Sequence, residues 1–175
     1  MLSNASARIF DVVVGLGSNV GQREQQLERA VSAIARLGAV LACSSVYETA
    51  PVGPPQPDFL NAAVRLHTTL EPHALLDHLL EIERAAGRER RERWGPRVLD
   101  LDVLWISGVV LATERLSVPH PELRRRAFAL VPLLDVAPEA LDPVTQQAYA
   151  DMARALGTTG VRRVSFRLGD ALGFP

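Results

Sequence analysis

Two aspartates one residue apart, Asp100 and Asp102, interrupt an otherwise apolar run from Val98 to Ile106. A run of that length and composition reads as a strand, and strand alternation sends residues i and i+2 to one face. The two carboxylates therefore project side by side, with Cα atoms roughly 7 Å apart. On that face Val98, Leu104 and Ile106 are expected to continue the row with apolar side chains. Two acids in a hydrophobic row repel each other and resist desolvation unless cations share the site. One or two Mg²⁺ ions suit such a pair, because a hard cation takes carboxylate oxygens and leaves positions for phosphates. The structural alternative is ion pairing with neighbouring arginines.

Those arginines are dense. Arg88, Arg90, Arg91, Arg93 and Arg97 precede the acids, opposed only by Glu89 and Glu92. A charge run by itself is a solvated loop. Beside a pair of metal-competent acids it gains a second meaning, since guanidinium forks and a divalent ion are what holding a polyphosphate requires. Trp94-Gly95-Pro96 adds a large ring and a stiff turn at the mouth of the strand. The combination points to phosphoryl transfer.

The elements that must position these groups follow from periodicity. Phe10 to Leu16 reads as a strand ending in the turn Gly17-Ser18-Asn19, and Gln22 to Leu37 as an amphipathic helix closed by Gly38. Gly15 to Gly21 is not a phosphate loop, for it lacks both the G-x-G-x-x-G spacing and the Walker lysine. Val40 to Tyr47 reads as a strand, and Ala50 to Asp58, with four prolines and a glycine, as a loop. Phe59 to Thr69 alternates, with Leu60, Ala62, Val64 and Leu66 on one face and Phe59, Asn61 and Arg65 on the other. Pro72 opens a second helix that ends at Gly87. Val98 to Ile106 follows as a strand, then a short apolar segment through Leu111. Residues 119–135 are partly helical, broken by Pro119, Pro121 and Pro132, and Thr145 to Leu156 is a helix. Val164, Phe166 and Leu168 alternate as a short strand would. The order strand, helix, strand, strand, helix, strand predicts an α+β ferredoxin-like sandwich, an antiparallel sheet with helices packed on one face.

A chain of 175 residues suits one domain, residues 1–175, with a core over about 10–156 and a tail over 157–175. A hydrophobic share of 47% with 22% charged residues is that of an ordinary globular protein. The net charge of -1 offers no overall field for nucleic acid or a membrane, so any anion site is local. All 19 Lys+Arg are arginine, a chain-wide preference that marks no site. The single cysteine, Cys43, has no partner for an internal disulfide. No secretory signal is apparent, and the apolar run Val103 to Ala112 is too short to span a bilayer. A cytoplasmic monomer is expected.

The stretch Arg93 to Leu104, R-W-G-P-R-V-L-D-L-D-V-L, resembles the signature of the 6-hydroxymethyl-7,8-dihydropterin pyrophosphokinase family. Further resemblances follow in the same order: G-L-G-S-N at Gly15, Y-E-T-A-P-V-G at Tyr47, Q-P-D-F-L-N-A at Gln56, S-V-P-H-P at Ser117 and R-R-A-F at Arg125. The resemblance implies a ferredoxin-like fold and transfer of diphosphate from ATP to the pterin hydroxymethyl group, with release of AMP. It implies that Asp100 and Asp102 hold two Mg²⁺ ions, one of which also acidifies the pterin hydroxyl. Arg88, Arg97 and His120 would grip the phosphates, supported by Arg90, Arg93, Trp94 and Arg126. Val103, Arg115 and Ser117 would lie near the adenosine. Phe59 and Phe128 would sandwich the pterin, with Trp94 and Asp100 also near it. Asn61 and the segment carrying Thr49, Ala50, Val52 and Gly53 would satisfy its polar edge. The family chemistry needs no general base, so His120 is assigned to phosphate charge.

These roles are physically coherent. A flat heteroaromatic ring gains from stacking between two phenyl faces. Its polar edge needs matched donors and acceptors, and each group left unpaired costs roughly 1–3 kcal/mol. Two other classes compete. A metal-dependent nucleotidyltransferase would use the same acids and arginines but release pyrophosphate. A ferredoxin-like RNA-binding module is disfavoured by neutral net charge and by only 5% aromatics.

Overall fold

β1, Phe10–Ser18, is an interior strand of the sheet, and its valines and leucine are buried on both sides. The computed structural model describes residues 7–87 and 95–169. The expectations for Arg88, Arg90, Arg91, Arg93 and Trp94 fall outside the described residues. Antiparallel to β1 run β4, Phe59–Thr68, on one side and β5, Asp100–Ile106, on the other. The other long edge of β4 is covered in two pieces, β2 (Ala39–Cys43) along its second half and β3 (Ser45–Thr49) along its first. With helix α1 (Arg23–Ile34) after β1 and α2 (Pro72–Ala85) after β4, the core order β5-β1-β4-β3 is that of the expected ferredoxin-like fold.

Four features depart from the reading of the sequence. First, the single strand expected over Val40 to Tyr47 is broken at Ser44. The Ser44 N–H donates to the Ala63 carbonyl at 2.9 Å, while its hydroxyl oxygen accepts the Ala63 N–H at 2.8 Å. A side-chain oxygen thus takes a ladder position that a carbonyl would hold, and the strand kinks there.

Second, helices cover both faces of the sheet rather than one. On the expected face Leu27, Ala30, Val31 and Ile34 of α1 and Leu75 and Leu79 of α2 pack on Val12, Val14, Leu66 and Val103. The opposite face carries α3, Ala127–Val136, and α4, Tyr149–Leu156. Their Leu130, Leu133, Val136 and Tyr149 pack on Val13, Ala63, Leu104 and Trp105. Prolines hide this layer in the sequence. Pro132 lies inside α3, where it cannot donate to the Phe128 carbonyl, a defect costing about 3 kcal/mol. Burying Leu130, Leu133 and Val136 returns roughly 1.5–3 kcal/mol each, so packing wins.

Third, β5 does not alternate to its end. Val13 of β1 faces Trp105 and Val14 faces Val103, which leaves Leu104 as the extra residue of a β-bulge. Leu104 and Trp105 therefore both join the core under α3, and Ile106 turns to the α1–α2 side. Ile106 does not share the face of Asp100 and Asp102, as plain alternation predicts. The Trp105 indole N–H donates to the Leu141 carbonyl at 2.9 Å and ties the bulge to the chain beyond α3.

Fourth, the helix expected from Thr145 begins at Tyr149. The preceding residues wind around fully buried Asp142, whose carboxylate accepts the N–H groups of Val144 and Thr145 and the Arg124 guanidinium at 2.5 Å. The last strand, β8 (Val161–Arg167), adds to β3 at the sheet edge. Two short strands, β6 (Leu111–Ala112) and β7 (Ser117–Val118), form a ribbon after β5. Among the described residues no helix is long and apolar enough to cross a membrane.

Candidate active site

Helix α3 stops short of one end of the sheet. Where it stops, β1 carries glycine at 15 and 17, and a cavity of ≈ 370 Å³ opens above the strands. Across the sheet the cavity side presents Asn61 of β4, Gly17 of β1 and Asp100 of β5 in one row, and Ala63, Gly15 and Asp102 in the next.

The acidic wall follows from alternation before the bulge, for Asp100 and Asp102 both line the cavity. Between them the Leu101 N–H donates to Glu83 of α2 at 2.7 Å. Glu83 is a buried carboxylate, 1% exposed, that sequence reasoning missed because it reads as one polar position among many in a helix. Burial pushes the Asp102 carboxyl well above its ordinary value, and the charges of Asp100 and Glu83 push it further, against the pull of Arg97 and Arg126. Arg97 reaches Asp100 directly through Nη1.

Cationic and imidazole groups close over this wall. The segment after β7 runs back beside β5, where the His120 N–H donates to the Leu104 carbonyl at 2.9 Å. The Glu122 N–H donates to His120 Nδ1 at 3.2 Å. That bond leaves the ring proton on Nε2 in the neutral imidazole. Burial first, then the charge of Arg126, hold the His120 pKa below its ordinary value. Arg126, immediately before α3, lies over the Phe128 ring with its guanidinium carbon 5.7 Å from the centroid.

The opposite wall is aromatic and amide-bearing. Phe59 and Phe128 both line the cavity, one from β4 and one from α3. Asn61 is buried, and its amide nitrogen donates to Thr49 Oγ1 at 2.7 Å. The bond fixes the plane of the amide, while its oxygen lies on the Gly17 side. Ala50, Val52 and Gln56 complete this wall from the proline-rich loop.

One further residue holds the arrangement together. Asn19, 1% exposed, follows β1. Its N–H donates to the Arg97 carbonyl at 3.0 Å, and its Oδ1 accepts the Arg97 N–H at 2.8 Å. Its amide nitrogen donates to Gln56 Oε1 at 2.9 Å and to the Pro57 carbonyl at 3.0 Å. A single side chain thus joins the proline-rich loop to the segment that enters β5. The sequence showed it only as the last letter of a turn.

Of the residues expected at the site, the structure gathers Thr49, Ala50, Val52, Phe59, Asn61, Arg97, Asp100, Asp102, His120, Arg126 and Phe128 around one cavity. Gly53 is not among its lining. Val103 is buried on the opposite face, Ser117 is half-buried in the β6–β7 ribbon, and Arg115 pairs with Asp77 on α2. Among the described residues no three His, Cys, Asp or Glu converge as a complete metal cage. Two adjacent carboxylates nevertheless fit Mg²⁺, which is bound through one or two carboxylates with the remaining positions taken by phosphate and water.

Fold and site together define an α+β phosphoryl-transfer enzyme, with acids, arginines and two phenyl rings lining one crevice. Residues 13–138 match the family described as 7,8-dihydro-6-hydroxymethylpterin-pyrophosphokinase (HPPK). The chain is 44% identical over 154 residues to 2-amino-4-hydroxy-6-hydroxymethyldihydropteridine pyrophosphokinase of Methylorubrum extorquens, covering 86% of this chain and 96% of the relative. It is 40% identical over 164 residues to the protein of the same name from Synechocystis, covering 91% and 84%. A crystal structure of wild-type Plasmodium falciparum HPPK-DHPS shares the fold, with a TM-score of 0.66 at 15% identity, covering 85% of this chain and 44% of that one. The chain spans less than half of that longer polypeptide. It belongs to the 7,8-dihydro-6-hydroxymethylpterin-pyrophosphokinase family.

Proposed function

We propose that this protein transfers diphosphate from ATP to 6-hydroxymethyl-7,8-dihydropterin, a step of folate biosynthesis, and releases AMP. The reading is supported by family membership and carried by one observation. A single cavity is lined both by paired carboxylates with Arg97, His120 and Arg126 and by Phe59, Asn61 and Phe128. Its volume, ≈ 370 Å³, falls in the range of small-molecule sites and suits the pterin.

In the reaction the pterin hydroxyl oxygen bonds to the β-phosphorus of ATP. The bond from that phosphorus to the oxygen bridging the α-phosphorus breaks, AMP leaves with the electron pair, and the hydroxyl proton passes to solvent. Asp100 and Asp102 are the residues that would hold two Mg²⁺ ions. Magnesium, when bound, supplies neutralisation of the polyphosphate charge and acidification of the hydroxyl. Arg97 and Arg126 place guanidinium charge beside the same phosphates, and neutral His120 offers them Nε2–H. Phe59 and Phe128 hold the ring plane between them, and Asn61 reads its amide edge. Arg88, Arg90, Arg93 and Trp94 are assigned by resemblance to the phosphate end, and Val103, Arg115 and Ser117 to the adenosine. Positioning both substrates and excluding water then account for most of the rate.

The test is product analysis with ATP, magnesium and the hydroxymethyl pterin. AMP and a diphosphorylated pterin are expected in equal amounts. Pyrophosphate with an adenylylated pterin would instead establish a nucleotidyltransferase, and ADP a single phosphoryl transfer.

A further inference from the structure

Glycine is a costly choice inside a strand, because it packs nothing and surrenders the most backbone freedom on folding. Gly17 lies in an interior strand of the sheet, and its φ is not in the left-handed region. Backbone crowding does not require it either. A Cβ added there would meet Asn61 Oδ1 at 3.6 Å, Phe59 Cδ1 at 3.7 Å and the Asp100 Cβ at 3.9 Å, all ordinary contacts. Gly38 shows what a glycine demanded by the fold looks like, since its added Cβ would lie 2.2 Å from the His67 carbonyl oxygen.

The three atoms around the missing methyl belong to a ring stacker, an edge reader and an acid at the reacting end. Asn61 and Asp100 are the cross-strand partners of Gly17, one on each side. At one strand spacing each, their Cα atoms stand roughly 9–10 Å apart with bare main chain between them. Two positions earlier on this face, beyond Gly15, Val13 is fully buried under α3, so the cavity begins where β1 ceases to carry side chains.

We infer that Gly17 is a specificity-determining residue, its naked backbone leaving room for one long edge of the two-ring heterocycle between Asn61 and Asp100. The inference rests on the pterin reading above and deepens it. With that edge against the bare backbone, the polar end of the ring reaches the Asn61 amide while the hydroxymethyl arm at the other end lies over Asp100. A methyl at residue 17 occupies the space that this edge needs. The ring must then rise, and it loses either the Asn61 contact or its place between Phe59 and Phe128. Gly15 is a poorer probe of the same idea, because its added Cβ already meets the Leu104 side chain at 3.0 Å.

The experiment compares Gly17→Ala and Gly17→Ser with the unmodified protein in three measurements. Thermal unfolding should occur at the same temperature or higher. Affinity for a non-hydrolysable ATP analogue with magnesium should be unchanged in titration calorimetry. Affinity for 6-hydroxymethylpterin, measured in the presence of that analogue, should fall by about tenfold to a hundredfold in both variants. Unchanged pterin affinity in a normally folded Gly17→Ala would overturn the inference. So would a fall of several degrees in unfolding temperature, which would make the glycine a requirement of the fold. Failure of the unmodified protein to bind pterin would instead sink the underlying reading, and this inference with it.

Discussion

Replacing Asp102 with asparagine should abolish turnover and yet stabilise the metal-free protein. Asp102 projects beside Asp100 into the cavity, near the buried carboxylate of Glu83. At the roughly 7 Å of residues two apart in a strand and an effective dielectric of about 20, the repulsion from Asp100 is worth about 2.4 kcal/mol, and Glu83 adds to it. Arg97 and Arg126 offset part of it, and a net gain of about 1 kcal/mol on removing the charge is a fair working figure. For a chain of this size that corresponds to roughly 2–4 °C in unfolding temperature. The sign with pH follows from the direction of the shift. The folded pKa lies above the unfolded value of 3.8, so the native state holds the proton more tightly. The penalty is absent below the unfolded value, grows as pH rises through that window, and is complete above the folded pKa. The asparagine variant should therefore gain most at neutral pH and lose its advantage as pH falls toward 4. Thermal unfolding in EDTA across pH 4–8 measures this, and added magnesium should shrink the advantage by stabilising only the original protein. An asparagine variant less stable than the original in EDTA at neutral pH would refute the reasoning.

Other substitutions probe other parts of the structure. Phe128→Ala should weaken pterin binding by about tenfold or more while leaving nucleotide affinity near normal, as read by calorimetry. Arg97→Ala should lower kcat more than it raises KM for either substrate, and equal losses in both would argue against a role at the reacting phosphates. Asn19→Ala breaks three side-chain hydrogen bonds in a buried place and should cost about 2–4 kcal/mol in urea unfolding, along with most activity. Asp142→Ala leaves two N–H groups and Arg124 without their acceptor and should cost a similar amount at pH 7. The Asp142 pKa is lowered in the fold, so this contribution is present above the unfolded carboxyl value and disappears as pH falls through the folded one. The gap between this variant and the original protein should close in acid.

Much of the site was legible because it is local. Asp100 and Asp102 share a face by the two-residue period of a strand, and Phe59 and Asn61 do so by the same rule one strand away. Short-range regularities of that kind need no knowledge of partners. The helices α1 and α2 announce themselves through apolar spacing and through Pro72, Gly38 and Gly87 at their ends. The family signature at Arg93 to Leu104 then supplied roles that residue types alone left open between a diphosphate and a nucleotidyl transfer.

What tertiary structure alone decided are the features set by pairing between distant segments. The bulge at Leu104 exists because β1 and β5 change register between Val13 and Val14, and it sends Ile106 to the other face against simple alternation. The second helical layer forms because the surface of Val13, Ala63 and Trp105 needs covering, and that burial outweighs the proline within α3. Glu83 meets the amide between the two aspartates, and Asn19 spans two loops, only once the sheet has assembled. The chain sequence writes down which residues are acidic, flat or small; the closing of β1 against β4 and β5 determines which of them share one cavity.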